Sequence, residues 1–326
     1  MTETRKPKLL VLVGPTAVGK TKMSIELAKT FQCEIISGDS MQVYRRMDIG
    51  TAKIKPEEMG GIPHHLIDIH EPDYPYSVAE FQEESRRLIR EIHEGGKLPF
   101  IVGGTGLYVE SVCYDFQFSE AGSDEQFRKA QFDFADANGA EALHQKLREV
   151  DADSAARLHP NDVRRVVRSL EIYHMTGVKQ SEQLAAQNKQ SPYELCIVGL
   201  TMDREMLYNR IEDRIDEMME EGLVEEVASL LSQGVGPGSI SMQGLGYKEI
   251  AAYLRGEVPL DTAVSELKRD TRRFAKRQLS WFRHMKDIQW VDMTDTANFS
   301  TNFATIRDII ADKLNLEHDY SSNQSN

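Results

Sequence analysis

Apolar residues come in short unbroken runs near the start of the chain and at helical spacing further on. Residues 9–13, Leu-Leu-Val-Leu-Val, have no polar interruption, as in a strand buried on both faces. Residues 20–30 then place Met23 and Leu27 on one side, with Phe31 just beyond, which predicts a helix. A second apolar run lies within 34–40 and a third begins at Pro99. Between them Ser77 and Glu80 form a capping box, and Val78, Phe81, Ser85, Leu88, Ile89 and Ile92 recur at helical spacing until Gly95-Gly96 ends the pattern. Strands alternating with helices predict a parallel α/β sheet.

Residues 42–75 lack periodicity and read as loop, a length more often functional than idle. From 119 to 191 strand signals vanish and short polar helices replace them, notably 140–150 and 161–175, the latter closed by Gly177. Residues 196–200 return to the sheet. Helices follow over 204–221 and 223–231, separated by Gly222, and a long one runs from an N-cap at Asp261 to 284. Residues 288–291 suit a closing strand, 306–314 a helix, and 317–326 a polar, disordered tail.

Composition narrows the class. With 326 residues, 40% hydrophobic and 28% charged, the chain can bury a large core. No apolar run approaches the roughly 20 residues needed to span a bilayer, so a soluble, cytoplasmic protein without a membrane partner is expected. Cys33, Cys113 and Cys196 are far apart and form no C-x2-C pair, so neither a disulfide framework nor a zinc site is indicated. The net charge of −13 argues against indiscriminate coating of nucleic acid, but not against a local basic surface.

The first apolar run ends in Gly14-Pro15-Thr16-Ala17-Val18-Gly19-Lys20-Thr21, a complete phosphate-binding loop between a strand and a helix. Its amides turn toward an anion, Lys20 meets the outer phosphates, and the Thr21 hydroxyl can hold Mg2+. The fold expected is a P-loop NTPase-like parallel α/β sheet flanked by helices, formed by 1–118 and 192–316, with an inserted all-helical domain at 119–191.

Asp39 ends the second strand, on the side of the sheet where ligands bind. A carboxylate facing a phosphate cradle repels the ligand unless a metal intervenes or it accepts a proton from a nucleophile; otherwise it caps its own turn. Thr105, in the glycine turn after the third strand, has a similar position. Arg214 shares a helical seam with Leu207, Ile211 and Met218, and a seam arginine needs an anion, either a diphosphate or a nearby carboxylate. Between 268 and 286 there are eight Lys or Arg and one Asp, and Arg269, Arg272, Arg273, Lys276 and Arg283 share a helical stripe. Arg164, Arg165 and Arg168 make a second basic face in the insertion. Such runs are often solvated faces, but two of them beside a small-anion site suggest a polyanionic substrate. His64 and His65 read as loop structure rather than metal ligands.

Seven signatures occur in order: 14–21, Ile-Ser-Gly-Asp-Ser at 36–40, Met-Asp-Ile-Gly-Thr-Ala-Lys at 47–53, Pro-His-His-Leu at 63–66, Val-Gly-Gly-Thr-Gly-Leu-Tyr at 102–108, Gly-Leu-Gly-Tyr-Lys-Glu at 244–249 and Lys-Arg-Gln-Leu-Ser-Trp-Phe-Arg at 276–283. Together they resemble the tRNA dimethylallyltransferase family, the bacterial tRNA isopentenyltransferases. The resemblance implies transfer of a dimethylallyl group from dimethylallyl diphosphate to N6 of adenosine 37, just 3′ of the anticodon, in tRNAs reading codons that begin with U. It implies that residues 14–21 hold the leaving diphosphate, that Asp39 is the general base, and that Thr105 and Arg214 steady the reacting groups. It further implies tRNA contacts by Ser40, Met41, Gln42, Met242, Gln243, Gly244, Gly246, Tyr247, Arg272, Lys276, Arg277, Gln278, Trp281 and Arg283, with Arg164, Arg165 and Arg168 in an anticodon-stem clamp. A monomer using Mg2+ is expected. The rivals are a free-adenylate isopentenyltransferase, a P-loop kinase or NTPase, and an RNA-binding module with a vestigial P-loop.

Overall fold

The computed structural model describes residues 6–118, 122–187 and 190–316. These residues form two compact units, one running up to Cys113 and resuming at Ser191, the other spanning Tyr114–Gln190.

The first unit is built on a six-stranded sheet in the order β3-β2-β4-β1-β5-β6. Its strands are β1 (Lys8–Val13), β2 (Cys33–Ser37), β3 (His64–His65), β4 (Leu98–Gly103), β5 (Glu194–Thr201) and β6 (Ile288–Asp292), and every pairing is parallel. Strand β1 is central because its five apolar side chains can all be covered, and Leu9 to Val13 are each 0% exposed. Leu10 lies opposite Phe100 of β4 on one side and Cys196 of β5 on the other. Around the sheet run α1 (Lys20–Phe31), α2 (Val78–Glu94) and α3 (Gly106–Cys113). The capping box of α2 forms as its residues predict: Ser77 Oγ accepts from the Glu80 amide at 3.3 Å, and Glu80 Oε2 from the Ser77 amide at 3.0 Å.

In the second unit α4 (Glu125–Asn138), α5 (Ala140–Val150), α6 (Ala152–Arg157), α7 (Val163–Thr176) and α8 (Gln180–Ala185) enclose a separate core around Leu143, Leu147, Val166 and Val167. Arg128 and Arg168 converge on the buried Glu171, at 2.8 and 2.6 Å. Burial alone would raise the Glu171 carboxyl, but the two guanidiniums and the Asp124 amide outweigh it and hold it below the usual range.

The first unit is completed by α9 (Arg204–Glu221), α10 (Leu223–Ser232), α11 (Tyr247–Leu254), α12 (Leu260–His284) and α13 (Phe299–Leu314). Gly222 separates α9 from α10 with φ 102°.

Several expectations change. His64-His65, read as loop, forms β3, because its backbone continues the ladder of Ile35 and Ile36. Helix α12 starts at Leu260, after Pro259, with Asp261 in its first turn rather than capping it. Helix α7 begins at Val163 and α13 at Phe299, and α3 is an addition. Residues 317–326, expected to be a disordered tail, lie outside the described residues.

Candidate active site

The carboxyl ends of β1, β2 and β4 meet at one place in the first unit. Chain 14–19 turns between β1 and α1, with Ala17 at φ 64° and Gly19 at φ 105°, a conformation that glycine adopts without strain. The first-turn amides of α1 have no intrahelical partner, and a helix start of this kind suits an anion. Lys20 Nζ is folded back on this loop, donating to Gly14 O at 2.9 Å and Pro15 O at 2.7 Å.

Beside it, β2 and β4 end so close together that a Cβ at Gly103 would lie 2.3 Å from Gly38 O. This approach brings the turns carrying Asp39 and Thr105 together. Thr105 Oγ1 accepts from the Ser40 amide at 3.1 Å, and Asp39 Oδ1 from the Met41 amide at 2.8 Å. Asp39 therefore caps its own turn, yet it is held above the usual carboxylate range. Burial raises it, and the amides of Met41 and Gln42 and the charge of Lys20 offset that only in part. Lys20 moves the opposite way, down to about 7, through burial and the charge of Arg214, partly opposed by Asp39. A base with raised proton affinity and an ammonium ready to release its proton thus sense each other across the cradle.

Helix α9 closes the other side. Arg210 Nε donates to Ala17 O at 2.9 Å and Arg214 Nη1 to Thr16 Oγ1 at 3.5 Å. Burial, and then the charge of Arg210, lower the Arg214 guanidinium. Three cations and the α1 amides around an uncharged loop make a site for a multiply charged anion.

The residues expected at RNA divide into two groups. Lys276, Arg277 and Arg283 are exposed on α12 and have no acidic partner among the described residues. Gln243 is also exposed. Others are engaged with neighbouring residues of the protein. Arg272 pairs with Glu212, and Trp281, 36% exposed, donates its indole N–H to Glu110 at 2.9 Å. Gln278 is 6% exposed, because its side chain bridges the P-loop and the β4 turn instead of facing solvent. Met242 and Tyr247 are buried as well, and Gly244 packs against Met41. In the second unit Arg164 is exposed, Arg165 faces Asp162 at 3.4 Å, and Arg168 is committed to Glu171.

One residue had no signal in the sequence. Glu226, half-buried on α10, accepts the amides of Asp48, Ile49 and Gly50 at 2.9, 2.8 and 3.1 Å and the Tyr247 hydroxyl at 2.6 Å. It ties the 47–53 signature to the 244–249 signature. Thr51 O and Ala52 O then accept from Gln42 Nε2, at 3.3 and 3.4 Å, and Gln42 Oε1 accepts from Ser37 Oγ at 2.9 Å. The segment after Asp39 is held in place through this chain. Glutamates are abundant in the chain, and only the folded loop singles this one out.

The IPP transferase family model matches residues 42–285. A protein of Geobacillus thermodenitrificans (strain NG80-2) named tRNA dimethylallyltransferase is 54% identical over 310 residues, 95% of this chain and 98% of its own. One of the same name from Bacillus cereus (strain B4264) is 55% identical over 295 residues, 90% and 93% of the two chains. Among solved structures, the tRNA isopentenylpyrophosphate transferase of Bacillus halodurans superposes with TM-score 0.73 at 51% identity, over 95% of this chain and 97% of that one. A eukaryotic dimethylallyltransferase captured acting on tRNA gives TM-score 0.80 at 34% identity, over 93% and 78%.

Proposed function

The chain belongs to the IPP transferase family, and from that premise we propose that it transfers a dimethylallyl group from dimethylallyl diphosphate to N6 of adenosine 37 in tRNAs reading codons that begin with U. The observation that carries this reading is the half-buried Asp39 carboxylate, held by the Met41 amide and set against a P-loop lysine whose charge it senses. A carboxylate there repels a bound polyphosphate, which a loop that only binds a nucleotide gains nothing from, whereas a reaction that must take a proton beside a departing diphosphate needs such an acceptor.

The adenine amine is a poor nucleophile, so the barrier lies in breaking the allylic C–O bond. The amides of 17–21, Lys20, Arg210 and Arg214 stabilise the negative charge that grows on the diphosphate. As N6 bonds to the allylic carbon and the C–O bond breaks, N6 becomes cationic and its proton passes to Asp39. Thr105, whose hydroxyl holds the Ser40 amide, keeps the turn of Asp39 in register. Mg2+ fits as an ion shared with the ligand: it accepts few protein ligands beside phosphate oxygens, and Thr21 offers a hydroxyl on the exposed first turn of α1. No cluster of three or more His, Cys, Asp or Glu able to hold a metal occurs among the described residues. When bound, the ion would neutralise diphosphate charge.

Lys276, Arg277 and Arg283 would track the RNA backbone, and Arg164 and Arg165 would serve the anticodon-stem clamp. A base in a loop leaves its stack more readily than a paired one. The protein is proposed to act as a monomer in the cytoplasm; no helix among the described residues is long and apolar enough to cross a membrane.

The test is to incubate the protein with dimethylallyl diphosphate and an anticodon stem-loop RNA and weigh the RNA. Gain of one five-carbon unit is expected. Preference for AMP as acceptor would favour the free-adenylate reading, and ATP hydrolysis without prenylation the kinase reading.

A further inference from the structure

Gln278 uses both ends of its amide inside the protein. Its Nε2 donates to Gly104 O at 3.0 Å, and its Oε1 accepts the Thr16 N–H at 2.9 Å. One planar group thus spans the turn that carries Thr105 and the loop that forms the phosphate cradle. The fit has no slack, since a Cβ at Gly104 would lie 2.2 Å from Gln278 Nε2. Thr16 is gripped a second time through its hydroxyl by Arg214. The same helix, α12, presents Lys276, Arg277 and Arg283 outward and is braced on α9 by the Arg272–Glu212 and Lys268–Asp216 pairs.

We infer that Gln278 is a positioning residue through which α12 sets the P-loop against the Thr105 turn, so that RNA engaging the outer face of α12 is felt at the diphosphate cradle. This rests on the RNA-prenylation reading above. The cradle works only if its amides point at the diphosphate before the charge develops, and Thr16 lies within it. Without the Gln278 amide, Gly104 O and Thr16 N–H lose their partner in a buried place and the two turns relax independently. A shift of α12 on binding RNA has no other direct side-chain hydrogen bond to the P-loop among those described.

The experiment uses the full chain with Gln278→Leu. The readouts are kcat, the KM for dimethylallyl diphosphate at saturating stem-loop RNA, the RNA Kd, and the affinity for inorganic diphosphate with and without RNA. The expected result is a KM raised about tenfold with kcat reduced, RNA Kd within about twofold, and loss of the tightening that RNA confers on inorganic diphosphate in the wild type. A raised RNA Kd with unchanged KM would mean that Gln278 reads RNA. Unchanged kcat and KM, or a wild type whose diphosphate affinity ignores RNA, would also overturn the inference. Should Gln278→Leu fail to fold, Gln278→Glu decides: it keeps the length and the acceptor for Thr16 but loses the donor to Gly104 O, and an unchanged KM there is equally fatal. Gly104→Ala, which displaces the amide, should raise KM in the wild type and add little in Gln278→Ala; full additivity counts against the bridge. A wild type that adds no five-carbon unit to RNA overturns the reaction itself, whereas a wild type that does, beside an indifferent variant, overturns only the role of Gln278.

Discussion

The phosphate cradle and the basic face of α12 lie in the same unit, and both are rich in positive charge, but they obtain it differently. The cradle relies on backbone amides and on cations of α1 and α9, of which Lys20 and Arg214 are half-buried, so that their attraction for an anion is less screened by water. The face of α12 relies on side chains in solvent, and much of its charge is already balanced. Arg272 is paired with Glu212, Lys268 with Asp216, and Arg269 and Arg273 with Asp270. What remains for a partner is the distal part, Lys276, Arg277 and Arg283. The second unit repeats the pattern, with Arg168 matched to Glu171 and Arg164 left exposed. Cations in a sequence are therefore not yet a positive surface; nearby acids decide which of them a ligand can use.

If the cradle does chemistry and the face does binding, mutations should separate them. The largest effect is expected for Asp39→Asn: a loss in kcat of about 10³-fold with RNA affinity unchanged, by single-turnover mass analysis and filter binding. An equal loss of RNA binding would merge the two regions. Arg214→Ala should reduce kcat/KM by about 10²-fold, again without moving RNA affinity. Reversing Lys276 and Arg277 to Glu should weaken RNA binding about tenfold and make its salt dependence shallower by nearly two charges, leaving kcat at saturating RNA unchanged. Arg272→Ala is the sharpest control, with RNA affinity expected within about twofold because its charge is already matched; a loss as large as that of the Lys276/Arg277 pair would mean that RNA opens the Glu212 bridge.

The smallest effect is on pH. Asp39, held above the usual carboxylate range, becomes a base only as pH rises through its elevated value, so the acid limb of kcat/KM moves upward. Lys20, lowered to about 7, loses its charge in the free protein above that pH, so kcat/KM should fall a few-fold on the alkaline side. Lys20→Arg retains the charge and should flatten that limb; an unchanged alkaline limb would remove Lys20 as its source.

Local pattern determined a good deal. An unbroken apolar run followed at once by a glycine loop suits a strand in the middle of a covered sheet, and β1 is one. The spacing Gly14-x4-Gly19-Lys20-Thr21 sets backbone angles and a helix start within eight residues, so the cradle was legible before any fold. Helix stops at Gly95, Gly177 and Gly222 were legible for the same reason, since capping is a matter of a few neighbouring dihedrals.

Contacts across long sequence separations were not legible. Strand β3 exists because β2 offers it a ladder, which two histidines do not announce. Gln278 looked like part of a basic, RNA-facing run, yet it turns inward to residues 262 and 174 positions away. Glu226 reaches a loop 176 to 178 positions earlier. Sequence sets what a residue can donate, accept or bury; only tertiary structure decides what it meets. Here that meeting sorts the ionic and amide groups into those that build the site and those left facing outward for a partner.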